Sequence, residues 1–255
     1  MSSVICRVAP SDGAKLLSEA LEVRRVSPEN VGKSGARTII NWGCSSFSAR
    51  DNQRVFNLPA AVSVSSDKRR TFEHLRDGGV RIPQFTFGNP ASLRTKRGDI
   101  ILARIAPNAS QGKGIAIVRD GQPYPPAPLY VKYIKKLREY RVHVAFGQAI
   151  LVVEKRARRG YEQSKDDALF RNHGDAWVFC ERDLNCDIDG TRDALEEEAV
   201  KAIRAVGLHF GAADVVKSRD TGEYFVLETN SKPGIASIST LMAYRNAFQQ
   251  RLRQS

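Results

Sequence analysis

The chain has 255 residues, 42% of them hydrophobic, enough to bury one large core or two small ones, which excludes a disordered or fibrous polymer. Lys and Arg number 40 against 28 Asp and Glu, a formal charge of +12, so polyanions such as nucleic acid, nucleotide phosphates or acidic peptides are suitable partners. The cysteines at 6, 44, 180 and 186 have neither C-x-x-C spacing nor paired histidines, no run approaches the roughly 18 apolar residues of a spanning helix, and the first residues lack a secretory apolar stretch; the expectation is free thiols in a cytoplasmic protein away from membranes.

In chain order, Val4-Ile5-Cys6-Arg7-Val8 reads as a strand, and Ser11-Asp12 caps a helix with Leu16, Leu17, Ala20 and Leu21 at helical spacing. Residues 23–26 and 36–43 supply two more strands, giving a small βαβ-type unit. Gly32-Lys33-Ser34 resembles the end of a phosphate loop, but Ser27 stands where a Walker A motif needs glycine, so that reading is rejected. Ser66-Asp67-Lys68 begins a helix carrying Phe72 and Leu75, stopped by Gly78-Gly79. Residues 80–87 are extended, and 99–105 and 110–118 form a hairpin. The glycines of its connection either bring backbone N–H groups and Lys113 onto a polyphosphate or serve turn geometry.

After a proline-rich connection, residues 129–134 are a strand, and 139–146 with 148–154 make a second hairpin turning at Gly147-Gln148. Its first arm has Tyr140, Val142, Val144 and Phe146 on one face and Glu139, Arg141 and His143 on the other. The run Lys155-Arg156-Ala157-Arg158-Arg159 is either a solvated surface or the seat of a polyanion. Residues 191–206 form an amphipathic helix with Leu195, Ala199, Ala202, Ile203 and Val206 on one side; Glu196, Glu197 and Glu198 belong to its early turns, not to a catalytic cluster. Leu241, Tyr244, Phe248 and Leu252 mark a last helix.

The chemistry concentrates in Glu223-Tyr224-Phe225-Val226-Leu227-Glu228-Thr229-Asn230-Ser231-Lys232-Pro233-Gly234. Strand alternation turns Glu228 and Asn230 to one face. If residues 210–216 pair with this strand, Asp214 joins them, and three hard oxygen donors suit Mg²⁺. The same residues also read as a solvated hairpin ending in an Asn-Ser-Lys-Pro-Gly turn.

The ordered set Asp67-Lys68, Arg104, Gln111-Gly112-Lys113-Gly114, Tyr133-Ile134, Glu139-Tyr140-Arg141-Val142, Glu154-Lys155-Arg156-Ala157, Phe170-Arg171-Asn172, Asp214 and Leu227-Glu228-Thr229-Asn230-Ser231-Lys232-Pro233-Gly234 resembles the ATP-grasp superfamily. It is most similar to the carboxylate–amine ligases typified by the ribosomal-protein glutamate ligase. The resemblance covers roughly residues 55–240 and implies an α+β fold: a small N-terminal Rossmann-like α/β domain (1–60), then two α+β subdomains (61–134 and 135–255) holding ATP between them. It implies Lys68, Arg104 and the Gln111, Gly112, Lys113, Gly114 loop on the phosphates, and Lys132, Tyr133 and Ile134 as the hinge beside adenine. Asp214, Glu228 and Asn230 fall on the magnesium ligands, with Mn²⁺ as an alternative ion. Arg141 and Arg171 match basic positions near the transferred phosphate. Arg104 replaces the usual Lys, Lys132 a frequent Glu, and Lys232 a small residue.

The implied reaction is attack of a substrate carboxylate on ATP to give an acylphosphate, then attack of an amine, or less often a thiol, with an acidic peptide among the candidate substrates. The alternatives are a phosphotransferase of the same fold, marked by a stable phosphorylated product, and a non-catalytic nucleic-acid-binding protein using the 155–159 run. The second is not favoured, because it leaves the acids and the glycine loop without purpose.

Overall fold

The computed structural model describes residues 3–7, 11–106, 114–119, 121–160, 169, 171, 176–235 and 237–254. The first strand, β1 (Ser3–Arg7), leads into α1 (Asp12–Ala20), whose first turn is capped by Ser11 accepting the Ala14 N–H at 3.3 Å. β2 (Arg24–Val26), β3 (Thr38–Trp42) and β4 (Arg54–Phe56) complete a parallel sheet in the order β2-β1-β3-β4. β4 has only three residues, too few to show an alternation in sequence.

Two helices follow. α2 (Pro59–Ser66) opens on a proline, whose fixed φ suits the first helical position, and α3 (Lys68–Asp77) is capped by Asp67, which accepts the N–H groups of Arg69 and Arg70 at 2.9 and 3.3 Å. A second sheet, order β5-β8-β6-β7, is antiparallel and contains β5 (Phe85–Thr86), β6 (Ile101–Arg104), β7 (Ile115–Val118) and β8 (Leu129–Lys132). Gly114, beside β7, has φ +72° and lies so close to Ala106 that an added Cβ would meet the Ala106 Cβ at 2.6 Å. Gln111, Gly112 and Lys113 lie outside the described residues.

The third sheet has the order β11-β10-β9-β12-β13 and is built from β9 (Lys136–Ala145), β10 (Gln148–Ala157), β11 (Trp177–Cys180), β12 (Phe210–Ser218) and β13 (Tyr224–Asn230), every neighbouring pair antiparallel. A short α4 (Asn185–Ile188) precedes α5 (Arg192–Ala205), and α6 (Ile238–Arg253) is the last helix described. One face of this sheet carries Tyr140, Val142, Val144, Ala213, Val215 and Val226. It is covered by Ala61 and Val62 of α2, Leu75 of α3 and Leu195, Ala199, Ala202 and Ile203 of α5, in one continuous apolar core.

A second core joins the first sheet to the third: Ile5, Leu17, Trp42 and Phe56 pack with Phe210, Tyr244 and Phe248, and Trp42 stacks on Phe210 with ring centroids 5.4 Å apart. Asn57 ties the same junction. Its Nδ2 donates to the Phe210 carbonyl at 2.9 Å and its Oδ1 accepts from the His209 and Phe210 N–H groups, so this buried amide is satisfied across 152 residues of chain. The histidines described in the interior are structural: His209 Nδ1 accepts the Asn57 N–H, and His143 Nδ1 meets the Tyr244 hydroxyl at 3.1 Å. None of the four cysteines is in a disulfide, and the buried Cys6 and Cys44 thiols lie 3.4 Å apart.

Candidate active site

The second face of the third sheet is charged, and shifts in the ladders set its register. From the Lys217–Tyr224 end of the β12–β13 hairpin, simple pairing would put Leu227 opposite Asp214. The register shifts between Asp214 and Val215, so Val215 faces Val226 while Asp214 faces Glu228. The shift lets Val226 and Tyr224 enter the apolar core while Glu228 and Asn230 turn to the opposite face with Asp214. The Asn230 Nδ2 lies 3.4 Å from Glu228 Oε1. The three oxygen-bearing residues expected to converge do so.

Cations surround them. Arg141, opposite Asp214 on β9, donates Nε to Oδ1 at 2.7 Å and Nη2 to Oδ2 at 2.8 Å, a bidentate pair. Lys155 Nζ lies 3.6 Å from Asp214 Oδ2 and 2.5 Å from Glu139 Oε1, and Lys136 holds the other Glu139 oxygen at 2.8 Å. Lys68, at the start of α3, reaches Glu228 Oε2 at 2.7 Å. Burial alone would push the Asp214 carboxyl up, but Arg141 and Lys155 outweigh it and hold the group well below the usual carboxylate range; Lys136 and Lys155 do the same for the buried Glu139. Arg104 ends β6 with its Nε buried and without a hydrogen-bond partner among the described residues. Burial lowers its pKa, and Glu228 acts in the opposite sense.

The donor set of two carboxylates and an amide oxygen consists of hard ligands, and each carboxylate oxygen keeps a further lone pair after pairing with Arg141 or Lys68, so these residues fit a hydrated Mg²⁺. No cluster of three His, Cys, Asp or Glu occurs among the described residues.

The residues expected at the hinge gather elsewhere. Lys132, Tyr133 and Ile134 line a cleft of about 250 Å³ with Asp99, Ile100 and Phe225, the last on the same strand as Glu228. The Lys132 ammonium is held by Asp99 at 2.7 Å and the Arg94 carbonyl at 2.9 Å, while the Tyr133 N–H donates to the Ile100 carbonyl at 2.8 Å. Arg171 is not brought into contact with Asp214. Its guanidinium lies 4.6 Å over the Trp177 ring and its Nη2 donates to the Lys136 carbonyl at 3.3 Å.

The basic run does not form one surface. Lys155 is 8% exposed and belongs to the charged cluster, whereas Arg156, one residue on, turns to Glu154 and the Asp183 carbonyl on the opposite side. The sequence left the run open between a solvated surface and the seat of a polyanion and gave Lys155 no role of its own, whereas the structure separates Lys155 from the rest of the run and places it beside Asp214 and Glu139. The missing signal was a bulge in β10 between Ala149 and Leu151. The pairing Gln148–Ala145 would set Glu154 against Glu139, and the shift sets Glu154 against Tyr140 and Lys155 against Glu139.

No family model and no curated protein matches the sequence. Solved structures do match the fold over nearly the whole length of both chains. The ATP-grasp ligase PsnB complexed with its minimal precursor superposes with TM-score 0.65 at 13% identity, covering 98% of this chain and 99% of that one; it has also been solved with precursor, Mg and ADP. A D-alanine–D-alanine ligase from Bacillus anthracis matches at TM-score 0.62 and 11% identity over 100% of both chains. A RimK domain ATP-grasp protein from Sphaerobacter thermophilus matches at TM-score 0.64 and 13% identity, covering 97% of this chain and 99% of that one. The chain has the ATP-grasp fold, with the α+β architecture the motifs implied.

Proposed function

We propose that this protein is an ATP- and Mg²⁺-dependent carboxylate–amine ligase working through an acylphosphate, with ATP lying between segments 61–134 and 135–255 and segment 1–60 as the preceding Rossmann-like domain. The observation that carries the reading is the meeting of Asp214, Glu228 and Asn230 on one sheet face inside a ring formed by Lys68, Arg141 and Lys155. PsnB, of the same fold, is complexed in one structure with precursor, Mg and ADP, which supports the same use of the fold here.

In this reading the base occupies the cleft beside Lys132, Tyr133 and Ile134, and the triphosphate runs along the sheet toward Glu228. Lys68 and Arg104 bind its oxygens, with the 111–114 loop over them. Asp214, Glu228 and Asn230 would hold Mg²⁺, whose charge offsets that of the phosphate oxygens. A carboxylate oxygen of the acid attacks the γ-phosphorus, the bond to the β–γ bridging oxygen breaks, and ADP leaves. The amine then attacks the acyl carbon, phosphate leaves and the amine proton is released. The chain supplies alignment and positive charge through Arg141, Lys155 and, from further out, Arg171, and no nucleophile.

The test is incubation of the full chain with ATP, Mg²⁺ and a panel of acids and amines that includes acidic peptides, read by mass spectrometry and ADP release. The expected result is a product heavier than the acid by the amine minus water, with one ADP per product. A stable phosphorylated acid without amide marks a phosphotransferase instead, and absence of ATP binding ends the proposal.

A further inference from the structure

Arg141 borders a second space. A chamber of about 310 Å³ is lined by Arg141 and His143 of β9, Val153 of β10, Phe179 of β11, Glu181, and Ser237 at the start of α6. Arg141 is thus common to the Asp214 cluster and to this chamber: its Nε and Nη2 are taken by Asp214, and its guanidinium lies 5.1 Å from the Phe179 ring centroid. Val153, Val178 and Phe179 supply the apolar part of the wall, and Arg141, His143, Ser237 and Thr240 a polar part.

Glu181 is the chamber's carboxylate. Its Oε1 accepts the Ser237 hydroxyl at 2.5 Å, and no Lys or Arg among the described residues pairs with it. The hydrogen bonds from Ser237 and Ser239 hold its carboxyl below the usual range, so it is ionised at neutral pH. Arg182, its neighbour in sequence, also helps to keep it ionised, but no nearby cation forms an ion pair with it among the described residues. Burial lowers His143 to about 4, leaving that ring neutral, and Arg141 is committed to Asp214. The first turn of α6 favours the anion only by partial charge. An ionised carboxylate beside the apolar Val153, Val178 and Phe179, without an ion-pair partner among the described residues, is a site for a cation brought by a ligand.

We propose that this chamber takes the amine substrate, an amino-acid-sized primary amine bound as its ammonium ion to Glu181. The inference rests on the ligase reading, since Arg141 places the chamber beside the proposed phosphoryl-transfer centre. The size agrees with one amino-acid unit, the volume being at the lower end of the roughly 300–1,000 Å³ of ligand pockets. The body of the amine would lie on Val153, Val178 and Phe179, and Glu181 would select for charge.

The test uses the full chain with Mg²⁺ and ATP, and two probes of the same body: L-leucinamide, an ammonium at neutral pH, and its neutral N-acetyl form. Calorimetry should show L-leucinamide binding to the wild type and the N-acetyl form binding about tenfold or more weakly, the difference expected for one charge-assisted hydrogen bond. Glu181→Gln keeps an oxygen to accept the Ser237 hydroxyl but has no charge. It should lose about tenfold or more of the L-leucinamide affinity while ATP affinity and melting temperature are unchanged. Equal affinity for both probes, unchanged L-leucinamide binding in Glu181→Gln, or no L-leucinamide binding by a wild type that binds ATP overturns the proposal. Loss of melting temperature in Glu181→Ala with probe binding insensitive to Glu181→Gln would make the residue a helix cap only. Failure to bind ATP with L-leucinamide binding intact strikes the ligase reading and leaves the chamber assignment standing.

Discussion

The two faces of the third sheet are made by alternate residues of the same strands, yet they differ in nearly every physical respect. On β9, Tyr140, Val142 and Val144 enter a core sealed by α2, α3 and α5, while Glu139 and Arg141, one step away, enter a buried network of charges. The apolar face is held by non-directional burial and tolerates substitutions that keep volume. The charged face depends on each partner being present, because a buried ion without its counter-ion is costly. The fold is thus secured on one side, and the other is free to gather charge.

The largest effect is expected of Asp214→Ala. It leaves Arg141 and Lys155 buried without their shared carboxylate, and urea unfolding should show a loss of about 3–5 kcal/mol together with loss of ATP turnover. A loss below about 1 kcal/mol would mean that the network is solvated like a surface pair. Leu195→Ala, on the apolar side, should cost about 2–5 kcal/mol of stability, while the folded fraction binds ATP with unchanged affinity in calorimetry.

Acidification separates the faces by sign. Folded His143 takes up a proton only at about 4, whereas an unfolded histidine does so near 6.5, so between these values the unfolded chain holds the extra proton. Stability should therefore fall as pH drops through 6.5 and reach a deficit of about 3 kcal/mol near pH 4, and His143→Gln should flatten this part of the pH profile. Asp214 acts lower. Its folded pKa is depressed, so its contribution is complete above the unfolded carboxylate value of 3.8 and is lost as pH falls below it. The smallest effect belongs to Lys68→Met. Its pair with the 30%-exposed Glu228 should contribute less than about 1 kcal/mol to folding, while a weakened ATP affinity would express its proposed role at the phosphates.

Much of the chain was legible in its sequence where periodicity or capping is strong. The Ser11 and Asp67 caps and the α5 face from Leu195 to Val206 follow from local chemistry, while the β9–β10 turn, expected at Gly147-Gln148, falls one residue earlier at Phe146-Gly147, where Phe146 has φ +52°. The convergence of Asp214 with Glu228 and Asn230 was also legible, although the reason given by alternation alone was incomplete. Simple register from the hairpin turn sets Leu227 against Asp214, and only the extra residue in β13 brings Glu228 across. The bulge in β10 had the opposite consequence. It hid Lys155 in a run of basic residues, because without it Glu139 faces Glu154. A one-residue insertion in a ladder leaves little trace in composition and reverses every side chain beyond it. α2 escaped for a different reason: its apolar Ala61, Val62 and Val64 serve a sheet that begins more than 70 residues later, a packing no local pattern records.

Calorimetric titration of ATP into the wild type and into Glu228→Gln, each with Mg²⁺ and with the metal chelated, tests the central claim most directly. The account predicts Mg²⁺-dependent ATP binding in the wild type, and in Glu228→Gln a loss of that dependence with an unchanged melting temperature. Binding that is equally strong in the variant, or no binding in the wild type, would contradict it.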